Sequence, residues 1–350
     1  MITIERRTSR ARARSERAGE TWAIVLAAGE GTRLRSLTTD AGGHGVPKQF
    51  CALRSGPSLL HEALRRAQAA VDPARVCTIV AQQHRRWWEP SLTAFPCANV
   101  VVQPQNRGTA TGMLLALSCV LERDPLANVV VLPSDHFVRD EPTLTAAVHR
   151  SLRALRAREA EIVLLGVTPD EIDSELGYIV PTREADAAPA GVRRFVEKPA
   201  PPEAYDLIAE GALWNVFIVA AHGRSLLNLI RRRDAALVEE MEAAWRFDAH
   251  AASAYSAVAE LYRRLPSLDF SRDVAEGRES ALSVLQVPPC GWSDLGTPER
   301  VAKALLRPVG SRAERASMLR IAAAALSLEE RLGRRQVASP RVPRAEGLCR

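Results

Sequence analysis

The chain of 350 residues is 47% hydrophobic and 25% charged, enough to bury one large core and too apolar to be disordered throughout. No run of about eighteen apolar residues occurs, and the arginine-bearing first twenty residues lack an apolar core, so neither a spanning helix nor a secretory leader is expected. The net charge of +6 lies at the ends: residues 1–20 carry +3 and 308–350 carry +5, leaving −2 for the body between them. That distribution speaks against a nucleic-acid enzyme.

In chain order, Trp22–Ala27, Val76–Ala81, Asn99–Gln103 and Asn128–Leu132 are continuous runs rich in β-branched residues, the pattern of strands covered on both faces. Helical periodicity falls on Ser58–Val71, Thr109–Arg123 and Pro142–Arg158 between them. This βαβα rhythm predicts a doubly wound, Rossmann-like α/β sheet with ligands at the carboxyl ends of its strands. Beyond it, Glu161–Val167, Gly177–Pro181, Gly191–Glu197 and Leu213–Ala220 read as strands, and Ala204–Glu210, His222–Arg232 and Ala235–Arg264 as helices. They form a second lobe of mixed strand direction over the same cleft. The expected organisation is a basic arm over 1–20 and one domain over 21–307, in two halves, about 21–160 and 161–307. A helical Ala/Arg-rich tail follows over 308–350, its helix at Arg312–Arg335. The six cysteines form no CxxC pair, which disfavours a zinc knuckle or a disulfide framework and suits a reduced cytoplasmic compartment.

Chemistry concentrates at particular places. The first strand runs into LAAGEGTRL (Leu26–Leu34), a glycine-rich turn whose amides can face phosphate. The third glycine of a dinucleotide fingerprint is missing, and no P-loop pattern occurs, so a dehydrogenase is disfavoured. Lysine is scarce: Lys48, Lys198 and Lys303 stand against forty-four arginines, and the first two fall in short motifs, PKQF (Pro47–Phe50) and FVEKP (Phe195–Pro199). Where arginine serves every general purpose, such lysines are candidates for compact point charges on phosphate. Asp135 follows a buried strand in LPSDH (Leu132–His136) and Asp294 sits in GWSDLG (Gly291–Gly296). Two hard carboxylates so placed suit Mg²⁺.

These motifs, with QPQNRGTA (Gln103–Ala110), ELGYI (Glu175–Ile179), LWN (Leu213–Asn215) and SLDF (Ser267–Phe270), resemble in order those of the sugar-1-phosphate nucleotidyltransferase family, over about residues 21–306. Within it, PKQF is similar to the guanylyl-transferring branch that acts on mannose-1-phosphate. The resemblance implies GTP and mannose-1-phosphate as substrates and Mg²⁺ as cofactor. It assigns Leu26, Ala27, Ala28, Gly29, Gly31, Thr32, Arg33, Lys48, Gln103, Gly108, Thr109 and Asp135 to the nucleotide. Gly177, Glu197, Lys198 and Asn215 fall to the sugar phosphate, and Asp135 with Asp294 to the metal. Arg33, Lys48, Asp135 and Lys198 are the implied catalytic set. Two departures stand out: Glu30 places an anion in the phosphate loop, and Trp214-Asn215 runs into Val216-Phe217 where family members often show WNSG. The alternatives are a thymidylyl-, uridylyl- or adenylyl-transferase, and a non-catalytic nucleotide-sugar sensor, for which no catalytic charge has been lost. No nucleic-acid partner or membrane insertion is expected, and a homo-oligomer is compatible with the chain.

Overall fold

The computed structural model describes residues 19–31, 34, 38, 45–53, 56–250 and 256–306. Nine strands form one sheet: β1 (Thr21–Ala27), β2 (Val76–Ala81), β3 (Val100–Gln103), β4 (Asn128–Pro133), β5 (Ile162–Val167), β6 (Gly177–Pro181), β7 (Ala190–Glu197), β8 (Leu213–His222) and β9 (Ser283–Gln286). Their order across the sheet is β3-β2-β1-β4-β8-β5-β9-β7-β6. The first four are mutually parallel, so their carboxyl ends share one edge. β8 enters antiparallel between β4 and β5, and β6 and β7 close the far side antiparallel.

Helices cover both faces, as expected of a doubly wound sheet. Along β1, Ile24 points into a core built with α3 (Gly108–Arg123), α6 (Gly223–Arg233), α7 (Ala235–His250) and α8 (Ala257–Arg264). Ala23 and Val25 point into the opposite core, with α1 (Leu59–Ala70), α2 (Arg85–Ser91), α4 (Glu141–Ala157) and α5 (Pro201–Ala209). Alternate side chains of one strand thereby serve both layers. α3 is buried along nearly its whole length, because it is packed on the sheet and again by α7. α1 and α4 are joined by the Arg66 guanidinium, which grips Glu141 through two hydrogen bonds of 2.9 and 2.6 Å.

Besides the short helices α2 and Pro298–Leu306, which no periodicity announced, three places differ from the sequence-based expectation. Ala235–Arg264 is two helices, because Ser256 caps α8 and Asp248 of α7 accepts from the amides of Ala257 and Val258. β9 is a four-residue strand inserted between β5 and β7, too short to show periodicity. Gly19 and Glu20, assigned to the basic arm, are joined to the domain: the Glu20 amide donates to Asp124 at 2.8 Å and its carbonyl accepts from Asn128 at 2.9 Å. The helix expected at Arg312–Arg335 lies outside the described residues. The chain divides into two compact units, one ending at Asp294 and the other beginning at Leu295; the second contains α9 (Pro298–Leu306), whose first turn is capped by the Thr297 hydroxyl. Among the described residues no helix is long and apolar enough to cross a membrane.

Candidate active site

The parallel strands deliver their carboxyl ends to a cleft of about 550 Å³. Its floor is the glycine turn after β1. Gly31 has φ +60°, and a Cβ there would stand 2.8 Å from the Lys48 amide, so glycine is required for both conformation and space. Gln49 fastens the turn from inside, donating to the carbonyls of Ala27 at 3.1 Å and Gly29 at 2.9 Å. Glu30 turns outward, where Gln83 donates to it at 2.6 Å and His84 lies 3.5 Å away, and it is not among the residues lining the cleft. Leu26, Ala28, Gly29 and Gly31 line the cleft; Ala27 is fully buried beneath it. Thr32 and Arg33 lie outside the described residues.

Above the turn stand the two aspartates. Ser134 ends β4 by bonding through both its amide and its hydroxyl to the Leu26 carbonyl, which fixes the direction in which Asp135 leaves the strand. Phe137 and Ser293 then exchange amide–carbonyl bonds of 2.8 and 2.9 Å as an isolated antiparallel bridge. Beside that bridge the Trp292 indole donates to His136 Nδ1 at 3.2 Å, edge-on to its ring. These contacts bring Asp294 to the same cleft as Asp135. Lys48, only 7% exposed, joins the pair: its Nζ lies 2.9 Å from Asp135 Oδ2 and donates to the Asp294 carbonyl at 2.5 Å. The ammonium expected to reach phosphate from the loop side is here directed onto the acidic pair. Burial is the largest single influence on Asp135 and opposes its charge, but the opposing interactions together, led by Lys48, hold the carboxyl below the ordinary range. Burial also pushes the pKa of His136 down to about 4, so this imidazole is neutral near pH 7 and can accept from Trp292.

One wall is formed by Gln103 at the end of β3 and by the start of α3. Gln103 is 2% exposed, and its Oε1 has no partner among the described residues. Gly108 has φ +84°, and a Cβ would meet the Leu268 carbonyl oxygen at 2.3 Å. The Thr109 hydroxyl donates to Asp269 at 3.1 Å and accepts from the Phe270 amide at 2.8 Å, tying the start of α3 to the late SLDF segment.

The opposite wall comes from β6, β7 and β8. Gly177 and Glu197 face each other across the β6–β7 ladder, and a Cβ at Gly177 would approach Glu197 Oε2 to 2.5 Å. Burial first, and then the nearby Asp269 charge, push Glu197 up to about 7 despite Lys198 and Arg272. Lys198 has φ +55° and lies outside the cleft lining, its Nζ 3.8 Å from Glu175 at the rim. Asn215 lines the cleft but uses its carbonyl oxygen to accept from the Phe217 amide at 3.0 Å, while its amide reaches Ser271 at 3.4 Å.

Sequence reasoning did not assign Gln49, Asn106, Phe217, Asp269, Ser271 or Trp292 to the site, yet all line the cleft. Gln49, Asn106, Asp269 and Trp292 were within reach, since PKQF, QPQNRGTA, SLDF and GWSDLG had been singled out as motifs. Phe217 owes its place to a backbone bend that no local pattern announces.

The glycine turn, Lys48 held between Asp135 and the Asp294 carbonyl, and a second wall bearing Glu197 thus surround one cleft at the strand ends of a doubly wound α/β sheet. Residues 22–307 match the Nucleotidyl transferase family, and the chain belongs to it. It is 26% identical over 284 residues to a putative mannose-1-phosphate guanylyltransferase of Vibrio cholerae serotype O1, covering 78% of this chain and 58% of that protein. It is 30% identical over 281 residues to the xanthan biosynthesis protein XanB of Xanthomonas campestris pv. campestris, covering 78% and 57%. The chain thus spans a little over half the length of these curated relatives. Among solved structures, that of a mannose-1-phosphate geranyltransferase from Thermus thermophilus is similar with a TM-score of 0.69 and 28% identity, covering 83% of this chain and 80% of that one.

Proposed function

We propose that the chain transfers a nucleotidyl group from a nucleoside triphosphate to a sugar-1-phosphate, with GTP and mannose-1-phosphate as the substrate pair. The observation that carries this reading is the meeting of Asp135, Asp294 and Lys48 above the glycine turn. In the reaction a phosphate oxygen of the sugar phosphate attacks the α-phosphorus, the bond to the β-phosphate breaks, and pyrophosphate leaves. The task is to hold two polyanions in line and offset their charge.

The turn between β1 and Lys48 offers backbone amides to the triphosphate, and Gln49 keeps it in shape. Gln103, with an unpartnered buried acceptor, is the group for the base, and Gly108 and Thr109 bring backbone to the same wall of the cleft. Glu197 accepts from sugar hydroxyls, and Lys198 at the rim takes the sugar's phosphate. A divalent cation fits Asp135 and Asp294: both are hard oxygen donors, and Mg²⁺ takes few protein ligands and leaves the rest to phosphate and water. Bound there it would offset phosphate charge. Among the described residues no cluster of three or more His, Cys, Asp or Glu is placed to hold a metal, so these two would be its protein ligands. The guanine and mannose assignments draw support from the PKQF, NRGTA and SDH motifs and from the relatives' names.

The test is pyrophosphate release from purified protein with each of four nucleoside triphosphates against mannose- and glucose-1-phosphate. GTP with mannose-1-phosphate is expected to be fastest; another preferred pair would move the assignment within the family, and no release with any pair would remove it. In the same assay Asp135→Asn and Asp294→Asn are each expected to lower kcat/KM by at least about a hundredfold with circular dichroism unchanged.

A further inference from the structure

Phe217 occupies a conformation that its side chain disfavours. Its φ is +55° in the middle of β8, the left-handed region, which a bulky residue adopts only under strain. Among the residues lining the cleft, every other position in that region is glycine. The cause is a bulge: β5 and β8 pair Leu164 with Val219 but Gly166 with Asn215, so β8 carries extra residues between. Asn215 stabilises the bend by accepting from the Phe217 amide. Such bulges re-aim one side chain, and here the neighbours Val216 and Ile218 stay buried while Phe217 is turned to the cleft. Its ring is braced edge-on by the buried Phe270 at 6.1 Å, and Asn215, Ser271 and Glu197 are polar side chains lining the same cleft.

Packing alone does not account for this arrangement, since an in-register strand would bury an aromatic ring without strain. From the strained backbone, the bulge and the braced ring in the cleft that Glu197 also lines we infer that Phe217 sets sugar specificity, offering a flat apolar wall to the C–H face of a pyranose-1-phosphate. The polar side chains of the same cleft take the hydroxyls, the division of labour usual in small-ligand pockets. The inference rests on the function proposed above and deepens it.

Phe217→Gly tests it, because glycine accepts the left-handed backbone and removes only the ring. The expected result is a thermal midpoint equal to or above that of the parent, with KM for mannose-1-phosphate raised at least about tenfold. The preference for mannose- over glucose-1-phosphate in kcat/KM should narrow by a similar factor, and KM for GTP should stay within about twofold; pocket contacts of this kind discriminate by roughly 10–200-fold. Phe217→Leu, which keeps bulk against Phe270 without a flat face, should show the same loss of preference. A Phe217→Gly protein with unchanged sugar KM and unchanged preference overturns the inference. So does a fall in midpoint with both sugars and GTP affected alike, which marks a packing residue. A parent protein that turns over no sugar phosphate removes the functional reading, and this inference with it.

Discussion

Glu197 carries a proton affinity out of keeping with an ordinary surface carboxylate, and two measurable effects follow. Its pKa of about 7, against 4.5 for the free side chain, means that the folded protein holds a proton that the unfolded chain releases between those values. Stability from this group is therefore present at low pH and lost as pH rises toward 7. Glu197→Gln should raise the thermal midpoint above pH 7 and leave it nearly unchanged near pH 4. The second effect concerns binding. Only the ionised carboxylate is a pure acceptor for sugar hydroxyls, so KM for the sugar phosphate should fall as pH rises through about 7 in the parent and stay flat in Glu197→Gln. A flat parent profile would show that Glu197 does not meet the sugar. Legibility at this scale was uneven. Asp135, Asp294, Gln103 and Glu197 could be picked out from the motifs that carry them, and all four line the one cleft. The engagement of Lys48 with the acidic pair was not, since sequence gives the charge but not its partner.

At the scale of elements, the start of α3 and the SLDF segment behave as one unit. Leu268 donates to the Arg107 carbonyl and accepts from the Ala110 amide, while the Arg107 side chain holds the Tyr262 and Arg263 carbonyls at the end of α8. Gly108 makes the close approach feasible. Gly108→Ala should lower unfolding free energy by about 1–3 kcal/mol in urea titration and raise KM for the triphosphate more than for the sugar phosphate. Equal shifts in both would mean that the segment does not serve the nucleotide side specifically. The long apolar strands were legible because both of their faces are covered. β9 and α2 were not: four residues carry no period, and α2 is seven residues ending around Pro90. The break between α7 and α8 depends on Asp248 reaching the first amides of α8, a contact made only after both helices exist.

At the scale of the molecule, the basic excess lies outside the catalytic body. Removing residues 1–18 should leave turnover and thermal midpoint unchanged. Removing 1–20 should cost about 1–2 kcal/mol, because Asp124 and Asn128 lose their bonds to Glu20. Identical midpoints for the two truncations would show that those bonds contribute nothing. The sheet itself has a longer-range consequence. Because β8 runs backward between β4 and β5, its opening residues, not its closing ones, arrive at the rim where the parallel strands finish. On the function proposed above, the wall that meets the acceptor is thereby encoded on a stretch separate from the turns bearing Lys48, Asp135 and Asp294. Substitutions around position 217 would then change the preferred acceptor while leaving the phosphorus chemistry intact.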